Sequence, residues 1–240
     1  MRAQHSRGRP EEAAQHLRPS LWRQQLSESL NRQQFLKLVA RVLDRLEGSA
    51  EELNRLDAAV GDGDLGVTVT LGSRAVRKAL PDLAGQDIGT IVARSGMAFN
   101  GAAPSTMGAL LAIGAMRAGR EAKGALELDV ALLARMARAA ELGIVEKGRA
   151  ERGDKTMLDA LGPSADALES AAAEGKGLRE AVEAAASAAR AGVEATIPLK
   201  AKSGRAAWIT ERTAGQPDPG ATVIQLIWES FAGFLAEPQG

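Results

Sequence analysis

Residues 158–173, Leu-Asp-Ala-Leu-Gly-Pro-Ser-Ala-Asp-Ala-Leu-Glu-Ser-Ala-Ala-Ala, place Leu158, Leu161, Ala165, Leu168 and Ala172 at intervals of three and four. That spacing gathers the apolar side chains on one face of an α-helix. The same interval recurs in Phe35, Leu38, Val42 and Leu46, in Leu133, Met136, Ala140 and Ile144, and in Val223, Ile227, Phe231 and Phe234. Leu65 to Leu80, Ile88 to Phe99, Ser105 to Ala118 and Leu178 to Ala195 are Ala-rich or Leu-rich, with Gly or Pro at or near their ends. The pattern predicts roughly eight helices, the first stopping at Gly48. Period-two alternation is almost missing, so the expected fold class is all-α.

Aromatic residues make up 3% of the chain, which leaves Ala, Leu, Val and Ile to build the core. Small side chains let helices approach closely, and this favours a compact antiparallel bundle or barrel over two loosely joined domains. At 240 residues and 45% hydrophobic content there is enough apolar surface for a conventional core. Residues 1–27 are rich in Arg, Gln, Glu, Ser and Pro with little periodicity, and are expected to form a flexible extension ahead of a single domain over 28–240.

Thirty basic residues balance thirty acidic ones, so no net field draws the whole molecule to nucleic acid or to a membrane. Cysteine is absent, which excludes disulfides, thiolate metal sites and a cysteine nucleophile. The polar, Arg-rich N-terminus has no apolar core of a signal peptide, and a cytoplasmic location is expected. Both histidines, His5 and His16, fall in the leader. Proton transfer or metal binding in the body therefore depends on carboxylates, Lys, hydroxyls or the backbone, unless a partner brings an imidazole.

Three Gly-rich polar stretches break the helical pattern. In Leu56-Asp57-Ala58-Ala59-Val60-Gly61-Asp62-Gly63-Asp64-Leu65-Gly66 three carboxylates are spaced D-x4-D-x-D. Glycine allows the chain to bend so that Asp62 and Asp64 turn inward together while Asp57 reaches over from the end of a preceding helix. Like charges that close repel unless a cation sits among them. Hard oxygen ligands in a tight turn suit Mg²⁺, which keeps waters and shares itself with phosphates. The stretch reads equally as a solvated acidic turn in which Asp64 caps the next helix. Gly61, Gly63 and Gly66 match G-x-G-x-x-G, but no hydrophobic strand precedes them, and an EF-hand fails because Val67 and Ser73 stand where Gly and Glu are needed.

The second stretch, Asn100 to Gly108, is a small-residue loop entering a helix, suited either to cradle phosphate oxygens or merely to turn the chain. The third is in two parts. Asp154 is placed as the N-cap of the run from Leu158. Farther on, Lys202 to Ala206 and Gln216 to Thr222 bracket a polar loop, with Asp218 and Pro219 forming an N-cap and N1 pair for the last helix.

In this order, LDAAVGDGDLGVT (56–68), GRAERGDKTMLDAL (148–161), TIPLKAKSGRA (196–206) and QPDPGAT (216–222) resemble the nucleotide-binding L subunit, or DAK2-type domain, of dihydroxyacetone kinases. The similarity runs from about Gln33 to Phe234. It implies an antiparallel eight-helix barrel with ATP or ADP and two Mg²⁺ ions at one end. On this resemblance Asp57, Asp62 and Asp64 are the metal ligands, and Leu65, Gly66, Val67 and Thr68 form the nucleotide-contacting start of a helix. Ala102 and Ala103 fall at the phosphate loop, Gly148 and Met157 line the nucleotide pocket, Arg205 faces the nucleotide and stabilises developing charge, and Asp218, Pro219 and Gly220 form the adenosine-side loop.

Two departures stand out. Leu65 replaces a histidine that many members carry, and the phosphate loop reads Gly101-Ala102-Ala103-Pro104-Ser105-Thr106, where Ser105 or Thr106 can offset the serine missing at Ala103. The resemblance further implies a kinase whose short-chain ketose is held by a separate substrate-binding, K-type subunit, and whose phosphate comes either from exchangeable ATP or, through tightly held ADP, from a phosphotransferase-system phosphoprotein. The competing reading is a nucleotide-loaded module that acts through protein contacts without catalysis.

Overall fold

The computed structural model describes residues 29–203 and 213–237. Among these residues nine helices form: α1 Arg32–Gly48, α2 Ala50–Val60, α3 Leu65–Leu83, α4 Ile88–Ala102, α5 Thr106–Glu121, α6 Val130–Gly148, α7 Leu158–Ala173, α8 Leu178–Thr196 and α9 Pro219–Ala236. Short polar side chains start most of them. Asn31, Asp87, Ser105, Asp129 and Asp218 accept from the amides of Gln34, Thr90, Gly108, Leu132 and Ala221, so first-turn donors that lack helical partners are satisfied. At α1 the bond is reciprocal, because the Gln34 side chain accepts from Asn31 N at 2.9 Å.

Eight of the nine helices close a ring in which α1 packs on α3, each helix from α3 to α9 packs on the next, and α9 returns to α1. Cross-helix pairs show that neighbours run antiparallel. Arg77 reaches Asp44 and Arg74 reaches Glu47 between α3 and α1, while Arg190 bonds Glu229 and Asp218 N bonds the Thr196 hydroxyl between α8 and α9. The ring is the expected eight-helix barrel, and α2 is an addition that packs mainly on α3 across one end.

Leu, Ala and Val dominate the core, with Leu158, Ala160, Leu168, Ala181, Val182 and Ala185 fully buried. Leucines at helical spacing fill the interior, and alanines bring the backbones together. Around Gly114, Ala115, Ala118 and Ala140, where side chains are small, an apolar pocket of about 240 Å³ opens between α5, α6, α7 and α9. Burying apolar surface yields roughly 25 cal/mol per Å², and this ring of contacts is where most of the stability resides.

The far end carries a ribbon that periodicity did not indicate: β1 Ser29–Asn31 pairs antiparallel with β2 Glu127–Asp129. Leu30 opposes Leu128, both fully buried, and each strand ends in the cap of the following helix. No helix among the described residues is long and apolar enough to cross a membrane.

Candidate functional site

Alternation around the ring puts the N-termini of α3, α5, α7 and α9 and the C-termini of α1, α4, α6 and α8 at one end. Each α-helix presents a partial positive charge of about half a unit at its N-terminus, so four such ends favour an anion there. All the residues singled out from the sequence that the structure describes sit at this same end, on or beside these termini.

The acidic turn is built by α2. Its last turn carries Asp57, the chain reverses through Gly61 to Asp64, and α3 begins at Leu65. Gly63 has φ of +76°, a left-handed conformation that glycine adopts without steric cost. Asp57 Oδ2 accepts from the amides of Asp64 at 3.0 Å and Leu65 at 3.2 Å, and Asn54 Oδ1 accepts from Gly66 N at 2.6 Å. Two side chains of α2 thus cap α3, whereas Asp64, at the cap position, makes no side-chain capping bond. The reading of Asp64 as a helix cap is corrected accordingly. Gly66 is required because a methyl group there would collide with the Ala50 carbonyl oxygen.

One carboxylate oxygen from each of Asp57, Asp62 and Asp64 lies within 4.8 Å of the others; Asp57 is half-buried and the other two are exposed. Three hard, anionic oxygens at that separation match a small divalent cation that retains several waters, so the donor set fits Mg²⁺. Behind them Leu65 is buried with Val69, Phe99 and Val223, which leaves its backbone to face the turn. Val67 is exposed and Thr68 buried in the same first turn.

The small-residue loop is short. Ala102 ends α4, Ala103 is buried, and Ser105 caps α5 by accepting from Gly108 N at 3.0 Å, with Thr106 the first helical residue. Because its oxygen serves as acceptor, the Ser105 hydroxyl keeps its proton to donate.

Gly148, Met157 and Gly220 gather around α5. A methyl group on Gly148 would touch Leu110 at 3.3 Å, and one on Gly220 would stand 3.3 Å from Met107 Cε and 3.4 Å from Met157 N. Asp218 is the cap of α9 as expected, its Oδ2 accepting from Ala221 N at 2.7 Å, and Pro219 occupies the first turn. Burial pushes the Asp218 carboxyl up to about 7. Arg205 lies outside the described residues.

Asp154 does not cap α7. The helix starts at Leu158, and Asp154 instead accepts from Glu151 N at 2.9 Å and Ser203 Oγ at 3.3 Å. The delay arises from left-handed backbone at Gly153 and Lys155, and Asp159, inside the first turn, accepts from the amides of Gly153 and Thr156.

Sequence reading also missed the support beneath this loop. Arg152 binds Glu141 and forks onto both oxygens of Asp166, while Arg138 binds Glu141, Asp166 and Glu169. The Arg152 guanidinium, with that of Arg138, holds the Asp166 carboxyl down to about 2. A cleft of about 600 Å³ opens between α2 and the α8–α9 pair, lined by Arg45, Arg55, Leu56, Gln216, Thr222 and Glu229 among others, and none of the expected site residues lines it.

The geometry can be set against known proteins. The family model of the DAK2 domain matches residues 59–233. The chain belongs to the DAK2 domain family. Within that match lie Asp62 and Asp64, whereas Asp57 falls two residues ahead of it. Among DAK2 relatives, the ADP-binding subunit DhaL of the PEP-dependent dihydroxyacetone kinase of Escherichia coli is 32% identical over 204 residues, 85% of this chain and 97% of the relative. D-erythrulose kinase of Mycolicibacterium smegmatis is 37% identical over 82% of this chain, which spans 35% of that protein. The crystal structure of the dihydroxyacetone kinase from C. freundii in complex with AMP-PNP and Mg²⁺ superposes with a TM-score of 0.60 at 28% identity, over 82% of this chain and 33% of the other.

Proposed function

We propose that this chain is the nucleotide-binding subunit of a dihydroxyacetone-kinase-like enzyme, which passes a phosphoryl group from a Mg-nucleotide to a short-chain ketose held by a separate substrate-binding subunit. The observation that carries this reading is the meeting of three carboxylates within 4.8 Å at the barrel end where four helix N-termini converge. The relatives support it: one is by name an ADP-binding subunit, and another was solved with AMP-PNP and Mg²⁺. The chain spans about a third of the length of the D-erythrulose kinase and of the C. freundii dihydroxyacetone kinase, in keeping with one working part of a larger enzyme. It has no histidine after His16, so residues 17–240 offer no imidazole to the ketone, in keeping with a substrate held by a partner.

Asp57, Asp62 and Asp64 are the residues to hold Mg²⁺, in one or two ions, and the bound ion supplies charge neutralisation on the phosphates. The protein's own part is positioning. Asp57 fixes the turn by its two amide bonds, so the other carboxylates are held without a search through loop conformations. The α5 N-terminus, with the hydroxyls of Ser105 and Thr106, faces phosphate oxygens. Gly148, Met157 and Asp218 to Gly220 line the adenosine side, and Arg205 stabilises charge during transfer.

Asp62→Asn tests the assignment. In the presence of a cognate substrate subunit, turnover should fall by about 10²-fold or more, as for other electrostatic contacts to a transition state. The thermal shift given by Mg²⁺ with ADP, about 2.7 kcal/mol at a hundred times Kd for the unaltered chain, should shrink with it. Full affinity and full turnover in this variant would remove the metal from these residues. Turnover with ATP as sole donor, set beside the ADP off-rate, separates exchangeable ATP from ADP rephosphorylated in place by a phosphoprotein.

A further inference from the structure

Lys155 lies in the turn between α6 and α7 with φ of 62° and is 2% exposed. Left-handed backbone is unfavourable for a residue with a Cβ, and an ammonium is costly to bury, so two penalties meet in one residue. The compensation is visible. Nζ donates to Thr196 O at 2.7 Å, Leu199 O at 3.2 Å and Gln216 O at 2.6 Å, which takes up all three of its protons. These carbonyls belong to the end of α8, to the chain that leaves it, and to the stretch entering α9. Burial pulls the Lys155 ammonium below its ordinary range, against the carboxylates of Asp218 and Asp159. Neighbouring bonds tie the same pieces: Lys202 N to Asp154 O at 3.1 Å, Gly215 N to Ile197 O at 2.7 Å and Asp218 N to Thr196 Oγ1 at 2.9 Å.

A cation with no proton left to offer has no hydrogen bond to give a phosphate, yet it stands one residue from Thr156 and two from Met157, and its Gln216 partner stands two from Asp218. We infer that Lys155 is a positioning residue for the adenosine half of the nucleotide, locking the Asp218–Gly220 loop against Met157 without touching the ligand. This rests on the nucleotide reading proposed above. Its signature is a split: the adenosine side loosens when the ammonium is removed, and the acidic turn, anchored by α2, does not.

The chain contains no cysteine, so Lys155→Cys introduces a unique thiol. Alkylated in denaturant with 2-bromoethylamine and refolded, it regains an ammonium at the lysine's length; with 1-bromopropane it gains a neutral chain of similar length. The neutral form should bind Mg-ADP about tenfold more weakly or worse, and the ammonium form should return to within about threefold of the unaltered chain. Binding of Mg²⁺ with tripolyphosphate, which lacks adenosine, should stay within about threefold in both. Amide exchange at Gly215, Asp218 and Ala221 should rise about tenfold in the neutral form, while Leu65 and Gly66 keep their protection.

Equal ADP affinity in the neutral and ammonium forms overturns the inference, and so does a parallel loss of ADP and tripolyphosphate binding, which would mark a global effect. If the unaltered chain binds no ADP, the proposed function fails instead, and the exchange pattern still decides whether Lys155 holds the loop.

Discussion

Asp57 and Asp62 carry the same carboxylate in different surroundings. Asp57 is half-buried and holds two amides of the turn through Oδ2, so it is framework as well as candidate ligand, whereas Asp62 is exposed. Substitution at Asp57 therefore mixes a lost cap with a lost charge. Asp218 presents another case. Its carboxyl is pushed up to about 7 in the folded chain from an ordinary 3.8, because burial disfavours the charged form more than Lys155 and the Ala221 amide favour it. A folded-state pKa above the unfolded one means that the folded state binds the extra proton, so this group's contribution is complete below about 3.8 and is lost as pH rises through about 7. Asp218→Asn keeps an acceptor for Ala221 N but has no proton to lose. Urea denaturation over that pH range should show the variant gaining on the unaltered chain as pH rises; a constant difference would place the titrating group elsewhere.

The loop between α6 and α7 shows how elements are tied across the barrel. Arg152 spans from the loop to buried Glu141 on α6 and to Asp166 on α7. Arg152→Met should cost roughly 1–3 kcal/mol in urea denaturation, the scale for a charged hydrogen-bond partner left behind. Retention of Arg138 on both carboxylates should keep it at the lower part of that range, and a neutral result would mean that Arg138 alone suffices. What could be read in advance follows from range. Helix starts at Ser105 and Asp218 were legible because cap and amide lie three residues apart. Asp57, Asp62 and Asp64 were legible because a short turn brings together carboxylates that are already neighbours in sequence. Asp154 misled because left-handed residues beside it postponed α7 by a turn. The ribbon was hidden, since three-residue strands show no alternation. Lys155 finds its carbonyls 41, 44 and 61 residues away, and nothing local announces such partners.

At the scale of the molecule, a ring of alternating helices sorts its termini, so every loop at one end can contribute to a single site. Position in the ring, more than spacing along the chain, is what puts Ser105, Met157 and Asp218 at the same end, where α2 adds Asp57. Closure also places α9 against α1, where Arg41 meets Glu237 at 2.8 Å, with the start of α1 and the end of α9 both at the end remote from the acidic turn. The turn at 174–177 between α7 and α8 lies at that remote end too, with Gly175 at φ of +69°. A circular permutant that links Glu237 to Ser29 through a flexible spacer and opens new termini at Gly175 should fold and show the same Mg-ADP thermal shift as the original order. Failure to fold would reveal that the α7–α8 joint must form early, before the cylinder can shut. Success would mean that the molecule's working mouth is indifferent to where translation begins.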